Sequence, residues 1–250
     1  MIPGAFPIVA GASRYRAKGI SFDGSSYLER SSNFSGIADG RTGTLSFWIR
    51  FSNAADDGKS FVIMFSGSSR IVFTRNSSNL ISLNLLASND VTLFSFRNTT
   101  QILSDSTWHH IITSWDVNAF GNLRLYVDGV DDLNPAVSGS TSRDIDYTDA
   151  PFRIGKLTPG WSGSSPLKGD LAEYWFAPTY IDVSVAANLA KFRSTSGRPA
   201  FPGVDGSLPT GSPPTIYVTG PASTVTTNKG AGGDFTMSGA LTDASTSPSD

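Results

Sequence analysis

Thr44-Leu-Ser-Phe-Trp-Ile-Arg-Phe-Ser52 alternates: Leu45, Phe47, Ile49 and Phe51 fall on one side of an extended chain, and Ser46, Trp48 and Arg50 on the other. A helix would scatter these four apolar residues around its axis, whereas a strand gathers them on one face. The same period of two recurs at 122–128, where Leu123, Leu125 and Val127 alternate with Arg124, Tyr126 and Asp128. It returns at 60–66, 70–75, 80–87, 90–97 and 107–116, each run rich in β-branched and aromatic residues and bounded by Gly, Asn, Asp or Ser. Many short strands at regular spacing predict an all-β sandwich or barrel. Asp128-Gly129 ends one run with residues that tolerate the positive φ of a tight hairpin turn, and Asp23-Gly24 resembles it.

Composition agrees with a β-rich domain that folds without staples. The 250 residues are 39% hydrophobic and 11% aromatic, and only 16% are charged, below the usual quarter. A chain of this length buries roughly 70–75% of the surface its unfolded form exposes. With 21 acidic against 19 basic residues, the net charge is −2, and no basic stripe suits nucleic acid or a membrane surface. There is no cysteine, which removes disulfides and thiolate metal sites. The first twelve residues are apolar but hold two prolines and no basic region, so they make a poor signal peptide and read as an arm.

Near the other end, 184–193 predicts one short helix, capped by Asp182 or Ser184, with Val185, Leu189 and Phe192 on one face and Gly197 and Pro199 ending it. A loop is the competing reading. Pro202, Pro209, Pro213 and Pro214 then punctuate a Gly/Ser-rich stretch that cannot be a central strand. Short strands are expected at 215–219 and 235–238, and the last eight residues as an exposed tail. The expected organisation is an N-terminal arm (1–18), a β-sandwich or barrel (19–180), and a helix plus Gly/Pro-rich segment (181–250) packed on it or on a neighbouring subunit.

Six segments resemble the laminin-G-like jelly rolls of the concanavalin A-like lectin/glucanase superfamily, in that family's order. They are Ser21-Phe-Asp-Gly-Ser-Ser-Tyr-Leu28, Thr44-Leu-Ser-Phe-Trp-Ile-Arg50, Trp108-His-His-Ile-Ile-Thr-Ser-Trp115, Leu125-Tyr-Val-Asp-Gly129, Phe152-Arg-Ile-Gly155 and Gly169-Asp-Leu-Ala-Glu-Tyr-Trp175. The resemblance implies a two-sheet antiparallel jelly-roll sandwich. Tyr180-Ile-Asp-Val-Ser184, the helix, Pro209-Thr-Gly-Ser-Pro213 and the closing segment resemble laminin-G-like proteins encoded among tailed-phage structural genes. That implies a non-enzymatic virion protein, on a capsid or on a tail or fibre, partnered by other virion proteins and by itself, with a trimer as the first guess. A free carbohydrate-binding lectin, reading cell-surface glycan, is the alternative. A glycan-cleaving enzyme is the third class.

The superfamily's hydrolases need two carboxylates flanking the bond, about 5–5.5 Å apart in retaining enzymes. This chain has only two glutamates, Glu29 and Glu173, and Glu173 has no second carboxylate two or four residues on. It is expected to be a sheet residue paired with an arginine, and the protein is expected not to be an enzyme. His109 and His110, adjacent on a strand, point to opposite faces and cannot share a metal. Asp144, Asp146 and Asp149 could offer oxygens to Ca²⁺. They lack the glycine and terminal glutamate of a defined calcium loop, so a solvated loop competes. Asp131-Asp132 invites the same doubt. Trp161, on a Gly/Ser/Pro loop, could stack on a sugar, anchor a partner or fold over a sheet edge. Trp48, Trp108, Trp115 and Trp175 are expected within strands as core or sheet-face residues.

Overall fold

The computed structural model describes residues 15–66, 71–87, 92–119, 122–134, 138–139, 143–157 and 165–250. Two antiparallel sheets of eight strands each face one another. The first contains β1 (Ile20–Asp23), β3 (Thr42–Arg50), β8 (His109–Asp116), β9 (Arg124–Val127), β10 (Val130–Asp131), β13 (Lys168–Ala177), β14 (Ile216–Val218) and β16 (Thr242–Asp243). Its order is β10-β9-β8-β3-β13-β1-β16, with β14 also pairing β13. The second contains β2 (Tyr27–Arg30), β4 (Phe61–Ser66), β5 (Ile71–Arg75), β6 (Ile81–Leu86), β7 (Thr92–Arg97), β11 (Ser138–Gly139), β12 (Phe152–Ile154) and β15 (Thr236–Ser238), in the order β11-β7-β6-β5-β4-β12-β2-β15. This is the expected jelly-roll sandwich with one short helix.

The core forms where the two inner faces meet. Leu45, Phe47, Ile49 and Phe51 join Phe73, Leu83 and Phe94 from the opposite sheet in one buried cluster. Phe47 meets Phe73 edge-on at 5.3 Å, and Phe51 stacks on Phe61 at 5.8 Å. Each such ring contributes about 1.5–3 kcal/mol by leaving water. Gly43 is required here: a Cβ at that position would fall 2.3 Å from Cζ2 of its cross-strand neighbour Trp115. The indole donates to the Tyr147 hydroxyl at 2.9 Å, and that hydroxyl donates to the Thr42 carbonyl at 2.7 Å.

The outer face of the first sheet is not left to solvent. Ile112, Trp175 and Ala177 point outward and pack with Ile181, Val183, Phe192 and Tyr217 from the C-terminal segment in a second cluster. Trp175 fixes this layer by donating to the Gly206 carbonyl at 2.8 Å. β14 adds to β13 on its free half, where Tyr174, Trp175 and Phe176 pair with Val218, Tyr217 and Ile216.

Three details differ from expectation. The helix is one turn, Ala186–Leu189, because Val185 keeps an extended backbone at its start and is 48% exposed. Asp182 accepts from the amide and hydroxyl of Ser184 and caps no helix. The final residues are not a free tail: Thr242–Asp243 pairs with β1, and Ser249 is buried and accepts from the Ala17 amide at 3.0 Å. Trp108 precedes β8 rather than lying in it, half-buried over Gly19, and donates to Thr246 at 3.0 Å. Among the described residues no helix is long and apolar enough to cross a membrane.

Candidate functional site

β13 changes neighbours midway. Lys168–Leu171 pair with β1, and Tyr174–Phe176 pair with β14. Between them the register with β3 slips across Ala172–Trp175, and Glu173 adopts φ 51°. That left-handed conformation is costly for a residue with a Cβ and marks a bulge. The slip returns Tyr174 to the inner core and aims Glu173 towards the C-terminal layer, where it is only 6% exposed.

The carboxyl finds hydroxyl donors there. Tyr217 donates to one oxygen at 2.8 Å and Thr219 to the other at 2.5 Å. The Tyr15 hydroxyl lies 3.5 Å from that of Tyr217. Burial pushes the carboxyl above its ordinary range, against the hydroxyls of Thr219, Tyr15 and Tyr217 and the charge of Lys229. Burial first, and then the neighbouring Glu173 charge, raise both phenols, so Tyr15 and Tyr217 stay protonated.

Local sequence explains why these groups converge. Asn228 accepts from the Tyr217 amide at 2.8 Å and donates to the Thr215 carbonyl at 2.8 Å, closing the outer edge of β14 with the turn that carries Lys229. The Gly220 amide donates to the Lys18 carbonyl at 3.1 Å. Gly206, at φ 77°, lets Pro202–Leu208 fold back against Tyr217: a Cβ there would lie 3.0 Å from the Tyr217 Cβ.

The result is a depression of about 450 Å³ above Glu173. Tyr15 and Phe201 form its aromatic wall, their rings 4.9 Å apart and tilted by 46°. Phe201 is 45% exposed and Val204 81%. Arg16, Lys18 and Lys229 line it from other sides. An open ring beside fixed hydroxyls and cations is suited to hold a polar ligand with one apolar face.

The aspartates and histidines singled out in the sequence lie elsewhere. Asp144 pairs with Arg41 at 2.6 Å. Asp146 accepts from the Thr148 amide at 3.0 Å, and burial, then Asp39 and Asp149, raise its pKa. Among the described residues no three acidic or histidine side chains gather as metal ligands. Trp161 lies outside the described residues. The arginine pair expected for Glu173 occurs instead at Glu29, 2.5 Å from Arg153. Asp132 is buried and accepts from the amide of Thr100 at 3.1 Å and from the Thr99 hydroxyl.

The histidines do face opposite ways. His109 bonds Asp128 at 2.7 Å, and His110 lies 2.9 Å from the Ser46 hydroxyl. Burial, then the Arg193 charge, lowers His110 to about 3. Ser46 and His110 are both buried, so the pair is inaccessible to substrate. Reading the sequence missed Tyr15, Phe201, Tyr217, Thr219 and Lys229. One signal was present: Phe201, in Pro199-Ala-Phe-Pro202, is an isolated aromatic on a proline-bounded segment.

A laminin G profile described as the Concanavalin A-like lectin/glucanases superfamily matches residues 22–180. No curated protein matches the chain. Among solved structures, a candidate carbohydrate binding protein from Bacteroides ovatus is similar with a TM-score of 0.63 at 15% identity, over 93% of this chain and 62% of that one. This chain therefore spans less than two thirds of that protein. The heptameric SAP-like pentraxin of Limulus polyphemus gives 0.59 at 12% identity, over 93% and 97% of the two chains. The receptor binding domain of a botulinum neurotoxin mosaic serotype C/D gives 0.50 at 12%, over 72% and 43%. These likenesses show a shared fold.

Proposed function

The chain belongs to the Concanavalin A-like lectin/glucanases superfamily, and from that premise we propose that it is a lectin-like, carbohydrate-binding module whose ligand rests on Phe201. The observation that carries the reading is the open Phe201 ring, braced by Tyr15 over a floor of hydroxyls fixed by Glu173. A sugar has an apolar face for the ring and hydroxyls for the floor. The reading is of binding rather than cleavage: Glu29 and Glu173 stand on opposite sheets, and among the described residues no second carboxylate bonds to Glu173, which is enclosed by hydroxyls. A glycan array probed with the whole protein tests this. Phe201→Ala should lower affinity for the bound glycan at least tenfold while the melting temperature holds. An array with no bound glycan would refute the reading, as would turnover of any polysaccharide in the array.

A place on a virion is a narrower, second reading. It draws on the resemblance of the C-terminal segment to phage-encoded proteins, and the exposed Leu208 and Val185 of that layer would suit attachment to a partner or to another copy. Mass spectrometry of purified particles tests it.

A further inference from the structure

Among the described residues, three cations and no carboxylate line the depression above Glu173, although acidic residues outnumber basic ones in the chain as a whole. Arg16 pairs with Asp250. Lys18 and Lys229 are exposed, and among the described residues neither makes an ion pair. Lys229 lies 5.7 Å from the centre of the Tyr217 ring, held there by its own turn: its amide donates to the Tyr217 carbonyl at 2.9 Å. Lys18 is fixed through its carbonyl to Gly220. Two lysines therefore line one aromatic-walled recess, each with its backbone bonded in place. Glu173 is buried beneath the recess with both oxygens engaged by the hydroxyls of Tyr217 and Thr219.

We propose that the recess selects acidic saccharides, in which a sugar ring packs on Phe201 while a carboxylate or sulfate on that ring or its neighbour meets Lys18 and Lys229. The inference rests on the carbohydrate-binding reading and narrows it. An ammonium group pairs with either anion as a point charge. The shared chemistry is thus an anionic oxygen group carried by a sugar. The contact is at the surface, where charges more than about 10 Å apart are screened at 0.1 M salt. Anion recognition of this kind weakens with added salt, whereas stacking on Phe201 does not.

Calorimetry with four polymers tests the selection on the full chain: polygalacturonate, its methyl ester, dextran sulfate and dextran. The charged member of at least one pair should bind ten times more tightly than its neutral counterpart at 50 mM salt, and the difference should shrink at 500 mM. Preference confined to polygalacturonate assigns a carboxylate, and preference confined to dextran sulfate assigns a sulfate. Lys18→Met with Lys229→Met should abolish the difference and leave the melting temperature and any neutral binding intact. Equal binding within both pairs overturns the inference while leaving carbohydrate binding standing. A charge preference that survives the double substitution, or no binding to any of the four, overturns it too. Phe201→Ala separates the two readings, because its effect on a glycan selected by the array does not depend on the ligand's charge.

Discussion

Replacing Glu173 tests whether the bulge on β13 is a latch for the C-terminal layer. The carboxyl is buried, accepts from Tyr217 and Thr219, and is shifted upward chiefly by burial. Glu173→Gln keeps the shape of the protonated acid, with one oxygen to accept and an amide to donate to a hydroxyl. The sign follows from the raised pKa. The stability supplied by the neutral carboxyl is complete below the unfolded value near 4.5 and is lost as pH rises through the higher folded value. Each unit of upward displacement is worth about 1.4 kcal/mol, or about 3–6 °C in a chain of this size. Wild type and Glu173→Gln should therefore melt together near pH 4, and the variant should melt higher at pH 7. Glu173→Ala removes the acceptor from two hydroxyls. An orphaned buried polar group costs about 1–3 kcal/mol, so the loss from two is about 2–6 kcal/mol and the melting temperature falls about 4–24 °C. Thermal melts by circular dichroism from pH 4 to 8 read all three proteins. A Gln variant whose pH profile parallels wild type, or an Ala variant as stable as wild type, would refute the latch.

The two adjacent histidines should titrate in opposite senses by proton NMR. His109, held chiefly by its bond to Asp128, should titrate above 6.5 and fall in Asp128→Asn, whereas His110 should show no transition between pH 5 and 8. The His109–Asp128 bond then stabilises the fold below the unfolded histidine value and loses that effect as pH rises through the higher folded one, so wild type should lose its advantage over Asp128→Asn at alkaline pH. Ending the chain at Ala244 removes five bonds to the rest of the fold, from Arg16 to Asp250, Arg50 to Ser245, Trp108 to Thr246, Ala17 to Ser249 and Ser247 to Ala17. At about 0.5–1.5 kcal/mol each, reduced by exposure, the loss is about 2–4 kcal/mol, and a truncated protein that melts with the full chain in urea would show that this end is not docked.

What the sequence made legible is what local periodicity encodes. Leu45, Phe47, Ile49 and Phe51 reach one core because a strand must put alternate side chains on one face, and Asp128-Gly129 turns with φ of 52° and 85° because those residues tolerate it. The outward residues of the same strand were legible only as polar or aromatic. Nothing in Ser46, Trp48 or Arg50 states that a later segment will cover them. That covering layer has no period of its own: Ile181, Val183, Phe192 and Tyr217 meet through turns set by Asn228, Gly206 and the Trp175 bond to Gly206. For the same reason Val185 misled the helix reading, since apolar spacing over a few residues does not fix which face a single turn presents. Glu173 shows the limit most clearly. Counted in plain alternation from inward Leu171, an unbroken strand would turn Glu173 into the core and Tyr174 outward. The bulge breaks that count, and its position follows from where β1 ends and β14 begins beside β13, two strands nearly two hundred residues apart in sequence. A rare glutamate at such a break carries information that no window of neighbouring residues holds: it is tolerated in a left-handed conformation, away from water, because Tyr217 and Thr219 arrive from the far end of the chain to receive it.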